Sequence, residues 1–116
     1  MKKHFWAGVL LIGLCCVSCS TKQTLYSWSD YERRSYDYVK EDTEKNLDEL
    51  LASYEVMINK QTGLRKVPPP GISADYGFLL IKKGKKEEGI QMLKQEIALY
   101  PESSTFISRI IKKLEE

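Results

Sequence analysis

Histidine is nearly missing from this chain of 116 residues. The single one, His4, sits in the N-terminal apolar segment, so no imidazole base or imidazole metal ligand exists beyond it. Cysteine is just as confined: Cys15, Cys16 and Cys19 are all there is, so a folded part that follows them has no disulfide and is held by its core alone. Excess charge is lacking too. The formal charge of +2 comes from Lys2 and Lys3, and the rest of the chain is neutral, without the basic footprint that a nucleic-acid backbone requires. No apolar run reaches the roughly 20 residues that cross a bilayer. The longest, Phe5 to Val17, has 13 and is followed at once by polar residues. Nothing alternates with period two for long enough to suggest a strand.

What is present at the N-terminus has the layout of an export signal: a basic pair, Lys2 and Lys3, then the apolar run, then the small-residue stretch Ser18-Cys19-Ser20. Ser18 is the small residue that a lipoprotein signal peptidase requires before its acceptor, whereas Cys15 follows Leu14 and Cys16 follows Cys15. Cys19 is therefore the expected site of lipidation. The expected organisation is a lipoprotein signal peptide over 1–18, a lipidated tether over 19–27 and a helical domain over 28–116. Ser20, in place of an aspartate after the acceptor, directs a lipoprotein to the outer membrane under the sorting rule of enteric bacteria, and the domain is expected to face the periplasm.

The rest of the chain is patterned as helices. Ser29 and Glu32 have the spacing of a capping box opening a first helix to about Val39, with Tyr31, Ser35 and Tyr38 on one face. From Thr43 to Asn59, Leu47, Leu50, Leu51, Tyr54, Met57 and Ile58 make a long amphipathic stripe that stops near Gly63. Pro68-Pro69-Pro70-Gly71 then breaks the pattern as a stiff spacer, because prolines donate no amide hydrogen. Further helices are expected over Ile72–Lys83, stopping at Gly84, over Lys86–Tyr100, stopping at Pro101, and from Ser104 to Glu116. The last has Phe106, Ile110, Ile111 and Leu114 as its apolar side and Ser103 as its cap.

Residues 70 to 101 also fit the register of a tetratricopeptide repeat, a helix-turn-helix unit with small residues where its helices cross and a proline after the second. With Pro101 as that proline, Gly77 and Gly89 fall at the two small positions and Gly84 in the turn, while Ile90, Leu93, Ile97 and Leu99 take apolar positions. Glu96 stands where the repeat usually has alanine. The expected fold is all-α, a short helical bundle containing one such hairpin with flanking helices.

The motifs Tyr26-x-Trp28-x-x-Tyr31, Pro69-Pro70-Gly71-Ile72-x-Ala74-x-Tyr76-Gly77 and Glu96 with Tyr100-Pro101-Glu102-Ser103 follow in order along most of the chain. In that order they resemble a family of small bacterial lipoproteins known as domain of unknown function 4810. The resemblance implies a lipidated envelope protein, often encoded beside a lipoprotein similar to the curli secretion pore, and so an accessory role in an outer-membrane complex. It implies no established activity, and no cofactor is expected.

Five aromatic rings, Tyr26, Trp28, Tyr31, Tyr36 and Tyr38, lie within 13 residues. Trp28, Tyr31 and Tyr38 are expected to cover the core, since burying an aromatic side chain stabilises by about 1.5–3 kcal/mol. Tyr36 points away from that face and is the candidate for a partner. The acidic stretch Glu41, Asp42, Glu44, Asp48, Glu49 lacks the glycine of a calcium loop and suits the positive end of a helix, so neither a metal site nor an acid/base pair is expected there. Lys82, Lys83, Lys85 and Lys86 surround Gly84 and are candidates for an acidic partner or anionic head groups, or serve solubility alone. Residues 28 to 59 carry nine acids against four bases, and residues 60 to 94 eight bases against three acids. Such halves would attract each other either between molecules, giving self-association, or within one. The functional expectation is a non-catalytic lipoprotein that binds another envelope protein, with a self-associating structural lipoprotein as the alternative.

Overall fold

A computed structural model describes residues 20–116. The described chain is all-helical: α1 (Tyr31–Lys40), α2 (Glu44–Asn59), α3 (Ile72–Lys82), α4 (Lys86–Leu99), a 3-10 turn (Pro101–Ser103) and α5 (Ser104–Glu115), with no strand among these residues. Helix α1 buries nothing completely and leans on α2 through the half-buried rings of Tyr31 and Tyr38. The expected capping box does not form. Ser29 takes a positive φ of 50°, its hydroxyl turns to Asp30, and Asp30 occupies the cap position with its carboxylate paired to Arg34 Nε at 2.7 Å. Helix α2 starts as expected, with Thr43 Oγ1 accepting from Asn46 N at 3.2 Å, and buries Leu47, Leu50, Leu51, Tyr54 and Met57.

Two apolar clusters share α3. Toward α2, Ile72, Tyr76 and Leu80 join the leucines and Met57; toward α4 and α5, Ala74 meets Ile90, Leu93, Ile107 and Ile111. The hairpin of α3 and α4 closes on two glycines. A Cβ on Gly77 would lie 2.7 Å from the Gly89 carbonyl oxygen, and a Cβ on Gly89 2.5 Å from that of Gly77, so only hydrogen fits on either side of the crossing. Gly84 turns the chain between the helices with φ of 89°, a conformation that L side chains avoid.

Helix α5 corrects two expectations. Phe106 is 68% exposed, and the buried pair is Ile107 with Ile111, flanked by Ile110 and Leu114. The buried side is the one that packs on Ile90 and Leu93 of α4, with Phe106 left on the other flank. Ser103 occupies the cap position as expected but makes no cap bond: its hydroxyl donates back to Tyr100 O at 2.7 Å within the preceding 3-10 turn.

The N-terminal segment is held against the body from Thr24 onward, which shortens the free part of the expected tether. Leu64 N donates to Thr24 O and Arg65 N to Leu25 O, both at 3.1 Å. Gln61 completes the attachment, accepting from Ser27 Oγ at 2.7 Å and donating through Nε2 to Ser27 O and Met57 O at 3.2 Å each. Gly63, expected near the stop of α2, instead lies under this segment, where a Cβ would come within 2.4 Å of Leu25 O.

Candidate partner interface

Helices α1, α2 and α3 leave an apolar hollow of about 260 Å³ between them. Tyr31, Tyr38 and Val39 line it from α1, Leu50 and Tyr54 from α2, and Asp75, Phe78 and Leu79 from α3. The periodicity that buries Tyr31 and Tyr38 against α2 aims them along the rim, and Val39, next to Tyr38, is left 82% exposed. Phe78 is 38% exposed at the opposite wall. Asp75 is the only acid lining this hollow, and partial withdrawal from water raises its carboxyl above the usual carboxylate range.

Below the rim, rings connect the surface to the core. Trp28 lies 5.9 Å from Tyr31, Tyr31 5.4 Å from Tyr54 and Tyr54 5.9 Å from Tyr76, measured between centroids. Trp28, expected over the core, heads this series while remaining 47% exposed. Burial pushes the phenols of Tyr54 and Tyr76 upward, and the Tyr76 hydroxyl donates to Glu55 Oε1 at 2.8 Å, so both stay neutral at physiological pH and supply no phenolate.

The remaining candidates separate. Tyr36, 66% exposed, lies with Ser29, Asp30, Glu32 and Arg33 on the solvent side of α1, away from the apolar hollow. Lys82 is occupied inside the molecule: it pairs with Asp42 at 3.0 Å, donates to the Tyr38 hydroxyl and sits 5.0 Å from the Tyr38 ring centroid. Lys83 pairs with Asp48, and Lys85 with Glu88 at 3.3 Å. Of the four, Lys86 alone has no ion-pair partner among the described residues. The acidic and basic stretches of the sequence thus meet across α3 and its neighbours within one chain. No group of three or more His, Cys, Asp or Glu arranged for a metal occurs among the described residues. Cys19 lies outside them.

Sequence reasoning missed Val39, Asp75, Phe78 and Leu79 as lining residues. Each sits one position off the stripe that marks its helix's buried face, and the signal that would find them is the packing of three helices, which no single stripe holds.

The model of the family described as Domain of unknown function (DUF4810) matches residues 25–110, and the chain belongs to that family. No curated protein and no solved structure matches it.

Proposed function

We propose that this family member is a non-catalytic lipoprotein of the outer membrane, anchored through Cys19, that binds another envelope protein as an accessory or assembly factor. The observation that carries the binding role is the apolar hollow walled by Val39 and Phe78, open to solvent and rimmed by rings already fixed by the core. Preorganised aromatic walls bind with little loss of side-chain entropy. A helix or extended segment with an apolar side chain at its centre matches this shape, and a lipoprotein similar to the curli secretion pore is the partner that the family resemblance suggests.

The α3–α4 hairpin is read as a single tetratricopeptide-like unit, supported by the mutual contact of Gly77 and Gly89, the turn at Gly84 and the break at Pro101. One such unit has few neighbours to stack on, and docking of a partner would complete its burial. Self-association by opposite charges has less support, because Lys82 and Lys83 already meet Asp42 and Asp48 in the same chain.

The test is affinity purification of the tagged, lipidated protein from gently solubilised membranes at low and at 1 M salt, beside Val39→Glu and Phe78→Glu variants. Screening length falls from about 10 Å at 0.1 M to about 3 Å at 1 M, so an apolar contact persists where a charge contact dissociates. A stoichiometric envelope protein retained at high salt and lost from both variants is the expected result. Recovery of the protein alone, or of a partner indifferent to both substitutions, would overturn the assignment of the hollow.

A further inference from the structure

The end of the molecule from which the N-terminal segment leaves has a composition of its own. Residues 20–29 and 56–74 contain no acid, and they carry Lys22, Lys60, Arg65 and Lys66. None of these four has an ion-pair partner among the described residues, whereas the lysines near Gly84 at the other side of α3 are largely paired. The fold brings two of them, Lys22 and Lys66, to one place. The bonds from Leu64 N to Thr24 O and from Arg65 N to Leu25 O lay the N-terminal segment along the loop after α2, and Lys22, Thr62, Leu64 and Lys66 line one shallow hollow. Lys66 holds a positive φ of 58° in the turn that presents it, and Lys66 N donates to Gly63 O. Between the cations stand two exposed aliphatic side chains, Leu25 at 56% and Leu64 at 54%. Trp28 follows directly on the Ser27 anchor.

We infer that this end is a membrane-facing surface of the folded body, which lies against anionic phospholipid head groups with Leu25 and Leu64 dipping into the interface. Exposed aliphatic residues interspersed with unpaired cations, with an indole close by in the chain, are the chemistry of peripheral bilayer contact. An acidic protein partner would satisfy the cations and leave the two leucines in water, which is why the bilayer is preferred. The inference rests on the lipid-anchor reading, since an acylated residue 19 leads into this same end, yet it assigns a second contact that the anchor does not require. Each basic residue close to an anionic surface strengthens association by about fivefold, so reversing Arg65 and Lys66 together weakens it by at least about 25-fold.

The experiment uses the processed protein isolated from membranes, in which Trp28 is the only tryptophan once the segment holding Trp6 is removed. Its mass shows whether Cys19 is acylated. The protein is then combined with brominated vesicles of phosphatidylcholine alone or of equal parts phosphatidylcholine and phosphatidylglycerol. Expected are quenching and a blue shift of Trp28 emission in the anionic vesicles, reversed by 1 M salt and by the Arg65→Glu, Lys66→Glu double variant, whose circular dichroism and melting stay unchanged. Trp28 emission that is equal in both vesicle types and indifferent to the double variant overturns the inference while leaving an acylated anchor in place. Should the mass show no acyl chain, the anchor reading falls, and sedimentation with anionic vesicles alone, sensitive to the same two substitutions, still decides this one.

Discussion

Glu96 illustrates how a single position was half legible. Its departure from the alanine of a regular repeat puts the usual contact at that position in doubt, but the sequence holds no hint of what replaces it. In the folded chain the side chain is 2% exposed and its Oε1 accepts from Gly71 N at 2.7 Å, across 25 residues, while Oε2 is buried without a hydrogen-bond partner. The carboxylate thus pins the end of the proline spacer to α4. Glu96→Ala leaves the Gly71 amide unsatisfied and is expected to lower stability by about 1–3 kcal/mol, with Glu96→Gln, which keeps an acceptor, closer to the parent in urea unfolding. Asp75 gives a prediction in pH. Its folded carboxyl titrates above the unfolded value because desolvation disfavours the charge, so the folded state holds its proton longer and this contribution to stability is lost as pH rises through the folded value. Compared with the parent, Asp75→Asn should therefore gain stability between about pH 4 and neutrality; a constant difference in urea midpoint over that window would count against the assignment. Phe106 shows the opposite kind of illegibility. Adjacent residues on a helix differ by about 100° in direction, and the choice between Phe106 and Ile107 is made by which side of the helix meets Ile90 and Leu93 of α4, a tertiary contact that the helix's own pattern does not contain.

Elements were more legible than contacts. The stripe from Leu47 to Ile58 and Gly84 as a turn are local signals, and α2, α3 and α4 appear within a residue or two of their expected limits, while Thr43, expected only as the start of α2, proves to be its cap. Local signals failed at α1, where Asp30 has a stronger partner in Arg34 than the cap amides and so defeats the Ser29–Glu32 pattern. The helix crossing yields the sharpest test at this scale. Gly77→Ala and Gly89→Ala each drive a methyl into a backbone oxygen that cannot rotate away, and each should cost about 1–3 kcal/mol or more, enough to separate α3 from α4 in a destabilised variant. Gly84→Ala meets no atom within 4 Å but must hold φ near 89°, a strain of about 1–2 kcal/mol. A calorimetric series in which Gly77→Ala and Gly89→Ala both cost less than about 1 kcal/mol would show that steric closeness does not hold the hairpin together. The pairs of Lys82 with Asp42 and Lys83 with Asp48 are exposed, and charge-neutralising substitutions there should move the melting temperature little.

At the scale of the molecule, the sequence separates an acidic half from a basic half without saying where they meet, and it contains no trace of the hollow between α1, α2 and α3. That hollow is built from residues between 31 and 79 on three helices, so it exists only after packing. The same holds for the attachment of the N-terminal segment through Gln61. Gln61→Ala removes one acceptor and one donor serving Ser27 and Met57, and should speed amide exchange at Leu64 and Arg65 while leaving the amides of α3 and α4 slow. Uniform acceleration across the chain would mean that this segment is integral to the core instead of laid over it. The attachment also sets a leash. With Thr24 fixed to the body, only residues 20–23 are left to span from an acylated Cys19, at most about 3.5 Å each, so the domain would sweep a thin layer beside the bilayer and never the depth of the compartment. Confinement of that kind turns a three-dimensional search into a nearly planar one. It raises the local concentration of any partner that is itself anchored nearby, so even a shallow contact would be occupied at the membrane, while a freely diffusing protein with the same surface would rarely be held.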